Sequence, residues 1–271
     1  MLYQEWGSLP LGGRAVVWTR TAGAGPQRVL PDGCTDVIWS DAGSDGGADG
    51  ALFVAGPDTR AHLAQGPPGT RWIGLRFAPG TGPAVLGVPA YELRDQRVPL
   101  SALWPGAEVR RLAERLAEEA ARSAAPGRGA VPGGGAVPGR GGVGPGRGGG
   151  GRLGGPGRAL EAVALERLRR AEPPDPAVGA VLAGLSRGRS VAEVAAAVGL
   201  GQRQLHRRSL AAFGYGPKTL ARVLRLNRAL DAARAGTAFA EVAASAGYAD
   251  QAHLAREVKA LTGVPLGRLL A

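Results

Sequence analysis

Val191-Ala-Glu-Val-Ala-Ala-Ala-Val-Gly199 returns 48 positions later as Phe239-Ala-Glu-Val-Ala-Ala-Ser-Ala-Gly247, with six of nine residues identical. Each copy runs from a short amphipathic helix into a glycine turn and then into a helix rich in polar side chains. A duplicated helix-turn-helix is the reading that fits, and it points to DNA. Ser190 is placed as N-cap of the first helix, with Glu193 at the distance that completes a capping box. The following helix, about 202–213, turns Leu205 to a core and leaves Gln202, Arg203, His206 and Arg207 on the opposite side. Arginine takes guanine and glutamine takes adenine bidentately in a major groove, so these four are the base-facing candidates of the first head.

In the second copy Leu254 matches Leu205 at an offset of 49, so that turn holds one extra residue and Asp250 becomes the cap. Leu254, Val258 and Leu261 form its buried stripe, and Gln251, Ala252 and Arg256 face outward. The second head carries fewer charges than the first and is expected to discriminate less. Between the heads, 217–234 reads as one long helix, with Pro217 in its first turn and Gly236 just past its end. Such a connector spaces two heads by one turn of DNA, roughly 34 Å. Arg208, Lys218, Arg222, Arg225 and Lys259 are the phosphate-contact candidates, and Arg222, Arg225 and Arg228 of the connector either touch phosphates or are simply solvated.

Charge supports the assignment only once it is located. Residues 1–122 carry 12 basic and 13 acidic groups, 123–158 five arginines and no acid, and 159–271 16 basic against 9 acidic, within a net charge of +11. The positive field lies with the repeat and the segment leading into it, as steering toward phosphates requires. No run of eighteen apolar residues and no secretory leader pattern is present, so no membrane contact is expected and the cytoplasm is the expected location. A single cysteine, Cys34, precludes an intramolecular disulfide.

Residues 1–104 read as short strands, 14–20, 36–39, 51–54 and 71–77, separated by Pro31-Asp-Gly33, Gly56-Pro-Asp58 and Gly66-Pro-Pro-Gly69. An antiparallel sandwich or small barrel is the expected result, followed by an amphipathic helix over 107–122 that packs on the sheet or pairs with a second copy. The expected organisation is a β-rich sensor or dimerisation domain over 1–122 and a disordered Gly/Pro/Arg linker over 123–157. A short helix with a proline-rich connector follows over 158–176, and an all-α DNA-binding domain over 177–271. The fold class is α+β. Trp18, Trp39, Trp72 and Phe77 are candidates to line an apolar ligand pocket, against the alternative that they only fill a core. One histidine in this half, His62, is too few for a metal centre, and neither metal nor cofactor is expected.

From about 177 onward the sequence resembles the DNA-binding domain of the AraC/XylS transcription regulators. The likeness is carried by Gln204-Leu-His-Arg-Arg208, Phe213-Gly-Tyr-Gly-Pro217, Arg225-Leu-Asn-Arg-Ala-Leu230 and Gly247-Tyr-Ala-Asp-Gln-Ala-His-Leu-Ala-Arg256. By that resemblance Arg203, Arg207, Gln251, Ala252 and Arg256 are base-facing. Two departures stand out: Ser209 and Val258 occupy positions where phenylalanine is usual, and Gly201 replaces a serine cap, with Leu210 or Phe213 expected to compensate. The first half resembles the domain that precedes such heads in actinobacterial-type regulators, through Leu30-Pro-Asp-Gly-Cys-Thr-Asp-Val-Ile-Trp39 and Gly56-Pro-Asp-Thr59, which implies a cupin-like sandwich.

The function expected is therefore a sequence-specific transcription regulator and not an enzyme. Its expected partners are double-stranded DNA, a small-molecule effector, RNA polymerase and a second copy of the chain; activation and repression are equally open. The competing reading, a β-domain enzyme or effector-binding protein for which the DNA head is only an address, needs convergent titratable groups in 1–104. Cys34 with Asp36 and His62 is the only such set, and a small buried residue explains Cys34 better. Gly184-Leu-Ser-Arg-Gly188 matches a hydrolase elbow but has no strand before it. The Arg-Gly-Gly steps at 140 and 147 resemble RNA-binding segments but lack interleaved aromatics.

Overall fold

The computed structural model describes residues 3–42, 50–124 and 155–270. Six strands form one antiparallel sheet in the order β1-β2-β7-β4-β5-β8: Tyr3–Gly7, Ala15–Thr21, Arg71–Phe77, Thr35–Ser40, Ala51–Ala55 and Arg97–Pro99. A two-stranded ribbon, β3 (Gln27–Val29) with β6 (His62–Ala64), stands apart from it. The central strands β2, β7, β4 and β5 are the four with β-branched and aromatic alternation. The other four are short, and three of them have only three residues.

Period-2 geometry divides the sheet into two apolar faces. Ala15, Val17, Val37, Trp39, Leu52, Val54, Ile73, Leu75 and Phe77 point to one side, where helices cover them. Trp18, Ile38 and Ala55 point to the other, with Tyr3, Phe53 and Trp72 around them. Helix α1 (Gly82–Leu86) closes one end of the covered face through Val85 and Leu86. Helix α2 (Gly106–Ala124) lays Val109, Leu112 and Leu116 onto the same face. Each such side chain contributes roughly 1.5–3 kcal/mol by leaving water. Its outer side carries Arg110, Arg111, Glu114, Arg115 and Glu118, all exposed, so α2 packs on the sheet and presents a solvated surface outward. The six-stranded sheet is thus covered by helices on one side and by a narrow two-stranded ribbon on the other.

Helix α3 (Gly155–Arg170) belongs to this core too. Ala159, Leu160 and Ala164 join the covered face, Arg167 pairs with Glu108 at 2.9 Å and its guanidinium stacks 3.7 Å over Trp104. The helix expected over 158–170 as part of a connector is therefore a piece of the β-domain. Most of the expected linker, 123–157, and its Arg-Gly-Gly steps lie outside the described residues; 123–124 end α2 and 155–157 open α3.

The C-terminal domain is helical throughout: α4 (Pro176–Ser186), α5 (Val191–Ala197), α6 (Gln202–Phe213), α7 (Pro217–Arg234), α8 (Phe239–Ala246), α9 (Gln251–Thr262) and α10 (Leu266–Leu270). Two apolar clusters share α7: Leu220 and Val223 join the first head, Leu226, Ala229, Leu230 and Ala233 the second. The connector is in this way the common wall of both heads. Among the described residues no helix is long and apolar enough to cross a membrane.

Candidate nucleic-acid interface and effector cavity

Local chemistry sets each reading helix. Ser190 Oγ accepts from Glu193 N at 3.2 Å and Glu193 Oε2 accepts from Ser190 N at 2.7 Å, closing the capping box before α5. Gly199 takes φ +65 and turns the chain into α6. Gly201 offers no side chain there, and Gln204 Oε1 accepts its backbone N–H at 3.2 Å, so half of a capping box survives the missing serine. Before α9, Asp250 accepts from His253 N at 2.6 Å. Phe213, Leu205 and Tyr215 are fully buried in the core of the first head and Ser209 is buried too, while Leu210 is only half-buried.

Gln202, Arg203, His206 and Arg207 on α6 and Gln251, Ala252 and Arg256 on α9 are all exposed. His206 differs from its neighbours in one respect. Its ring lies against Gly216 at the start of α7, where a Cβ would come within 2.6 Å of Cε1. This histidine therefore also packs the turn between α6 and α7.

The five phosphate candidates separate by their partners. Lys218 and Lys259 are exposed. Arg208 pairs with Asp175, the α4 cap, at 3.0 Å. Arg225 is committed elsewhere: it bonds Glu257 of α9 at 2.7 Å, donates to the Gly247 carbonyl and stacks on Tyr248 at 4.5 Å. Arg222 reaches the same carboxylate at 3.5 Å and remains nearly half exposed. Arg225 is thus a tie between connector and second head, because a carboxylate held by two guanidiniums fixes the angle of α9.

Burial raises the Glu257 pKa, but the hydrogen bond and charge of Arg225, with Arg222 and His253 behind them, outweigh it and hold the carboxyl below its ordinary value. A depressed carboxylate stabilises the fold above its unfolded pKa and loses that contribution as pH falls through the folded value, so the tie is complete at neutral pH. Glu257→Gln is expected to lower stability by about 1–2 kcal/mol in a denaturant titration at pH 7, with the loss vanishing in strong acid.

Two cations absent from the sequence reading complete the surface. Arg187 and Arg189, in the turn between α4 and α5, line a cleft of about 490 Å³ together with Lys218, Arg222 and Arg228. The signal was present in Arg187-Gly-Arg-Ser190, but only the fold shows that the turn stands across from α7. Arg228, expected on a phosphate or in solvent, is bonded to protein instead, because the ends of α4 and α8 converge on it. It donates to the carbonyls of Leu185 at 3.2 Å and Ser186 at 2.8 Å, ending α4, and lies 3.5 Å from that of Ala246, ending α8. One guanidinium therefore caps both the helix that leads into the first head and the first helix of the second. Ser186, the apparent hydrolase nucleophile, is at the end of α4 with its carbonyl engaged by Arg228.

The open face of the sheet and the ribbon enclose a cavity of about 340 Å³. Trp18 and Trp72 line it; Trp39 and Phe77 do not. Those two are on the alternate pleat, buried under the helices, because strand residues two apart share a face and Trp39 and Phe77 share theirs with Val37 and Leu75. Trp18 donates to Asp36 at 2.6 Å, and Asp36 bonds Arg76 at 3.2 Å. The Trp18 indole lies over Gly74, where a Cβ would come within 2.2 Å of it.

Asn227 of α7 reaches the same cavity, so the C-terminal domain supplies part of its wall. Direct bonds join the domains nearby: Arg28 Nη1 to the Thr262 carbonyl at 2.7 Å and Ala61 N to the Leu261 carbonyl at 2.7 Å. On the other side, Gly33 (φ +80) approaches Tyr215 and Pro57 approaches Gly214.

Two family models match the sequence, a helix-turn-helix domain over residues 185–271 and a domain of unknown function, DUF6597, over 15–99. No curated protein is matched. Among solved structures, apo ToxT from Vibrio cholerae in a lysine-to-alanine variant aligns at TM-score 0.48 and 8% identity, over 95% of this chain and 97% of that one. ToxT in another crystal form aligns at 0.45 and 8%, over 98% and 97%. ToxT bound to unsaturated fatty acid aligns at 0.43 and 9%, over 94% of each chain. Likeness at this level says nothing of ligand or operator. Residues 185–271, which hold both heads and the helix between them, thus match a helix-turn-helix domain.

Proposed function

We propose that the chain is a sequence-specific transcription regulator that reads DNA with both heads and takes a small-molecule effector in the cavity beneath its β-sheet. The observation that carries the reading is the arrangement of seven exposed candidate base contacts on α6 and α9, both mounted on α7. Arg203 and Arg207 on the first head suit guanine, and Gln251 on the second suits adenine. Lys218, Lys259, Arg187 and Arg189 are exposed and supply the phosphate contacts that set register. The first head supplies most of the charged readout, and the Glu257 tie makes the second an anchor.

Effector control is supported by the cavity wall that α7 provides through Asn227. Nucleophilic chemistry has no support beside it, since burial pushes the Cys34 thiol well up and Asp36 is committed to Trp18 and Arg76.

Selecting bound fragments from random DNA with the whole protein tests the reading. The expected product carries two half-sites about 10–10.5 base pairs apart. A single half-site would remove the second head from sequence reading. On the selected site Arg207→Ala is expected to cost about 1–3 kcal/mol, with little change on random DNA. Equal losses on both would make Arg207 a phosphate contact.

A further inference from the structure

We propose that the cavity takes a planar aromatic compound bearing a single carboxylate, with the acid held by Arg20 and the ring seated between two aromatic walls. The inference rests on the effector reading and adds the class of ligand.

Four rings define the slot. Tyr3 stacks with Trp18 at 6.3 Å between centroids, and Phe53 meets Trp72 edge-on at 5.9 Å. Rigid faces of this kind reward a flat guest, which loses no internal rotations on entry.

Charge accounts for the acid. Arg97 is paired with Asp58 at 2.6 Å, and Arg76 with Asp36 and Asp32 at 3.2 and 3.6 Å. Among the described residues that leaves Arg20 and Arg28 as lining arginines without a carboxylate, and Arg28 already donates to Thr262.

Arg20 has a buried Nε with no hydrogen-bond partner, and so does the indole Nε1 of Trp72. The two residues are direct cross-strand partners on the same face of β2 and β7. Two unsatisfied donors side by side in a desolvated wall are costly unless an acceptor arrives to take both, and a carboxylate does so. On the ribbon, Gln27 Oε1 is a buried acceptor without a donor. A ring N–H or hydroxyl on the guest satisfies it.

Isothermal titration and thermal melting of the full chain with three probes test this: indole-3-acetate, its neutral counterpart indole-3-acetamide, and decanoate. Indole-3-acetate is expected to bind and raise the melting temperature, with indole-3-acetamide and decanoate each at least tenfold weaker. Arg20→Met is expected to lose at least tenfold in indole-3-acetate affinity while Arg20→Lys retains most of it. Equal affinity for the amide overturns the role of charge, and equal affinity for decanoate overturns the aromatic slot. If none of the three binds but the chain still holds its selected DNA site, the ligand class is wrong and the regulator reading stands. If neither DNA nor probe is bound, both fall.

Discussion

Arg228→Met is expected to weaken binding to a two-half-site operator by on the order of 10- to 100-fold, although the side chain faces no base and is held by protein on three sides. Its guanidinium serves the carbonyls that end α4 and α8. Those are the C-terminal ends where a helix has no intrahelical donors left, and a cation there also meets the negative end of the dipole. Methionine keeps the aliphatic stem but leaves the acceptors unpaired, at a cost of about 2–4 kcal/mol in unfolding free energy.

The larger consequence is geometric. Two heads joined rigidly bind the second half-site at high effective concentration, and a loosened angle between them forfeits that advantage. Salt dependence separates this account from a phosphate contact. Losing a phosphate contact lowers the slope of log affinity against log salt by about 1, as Lys218→Ala is expected to do, whereas Arg228→Met leaves the slope unchanged. A lowered slope with unchanged stability would make Arg228 an ordinary phosphate ligand.

The helical half was legible because its signals are local. Caps, glycine turns and apolar stripes at Ser190, Gly199, Asp250 and Leu254 fix α5, α6, α8 and α9 from neighbouring residues alone, and the structure places them where spacing predicts. Partners distant in sequence were not legible in the same way. Arg225 and Arg228 look alike on the surface of a helical projection, yet Glu257 lies 32 residues from one and Ser186 42 from the other.

The β-domain shows the same limit. Four strands are visible from their alternation, but β3 and β6 are three residues each and carry no period, so the ribbon that makes the cavity could not be foreseen. Without it nothing says which pleat faces a pocket. Trp39 and Trp18 then look equivalent, although only the second lines one. Gly74 is the clue that sequence did offer: a glycine inside an apolar strand marks a close approach, here of the Trp18 indole.

Gly56→Ala is expected to destabilise the β-domain by about 3 kcal/mol or more, the largest loss of any single methyl addition outside the left-handed glycines. A Cβ at this position would come within 1.7 Å of the Leu93 carbonyl oxygen and 2.5 Å of its carbon. The obstacle is backbone, so no rotamer change relieves it. Nor can the segment retreat cheaply, since Gly56 N donates to the Gln96 carbonyl at 3.0 Å and Ala55 pairs with Arg97 between β5 and β8.

The residues that follow show what the close approach secures. Pro57 lies against Gly214 of the DNA-binding domain, Asp58 holds Arg97, and Thr59 N and Oγ1 both donate to Asp95. Gly56-Pro-Asp-Thr59 is thereby one of the segments through which the β-domain grips the turn after α6. Hydrogen exchange of the variant is expected to quicken at 93–97 and at 213–216 together, while α8 and α9 keep their protection. Gly87→Ala is the matched control: Gly87 has φ +80 but nothing within 4 Å of an added Cβ, so its cost is backbone strain alone, about 1–2 kcal/mol. If Gly87→Ala proves the more damaging of the two, the chain at Gly56 is free to shift, and the contact with the DNA head is not held by this loop.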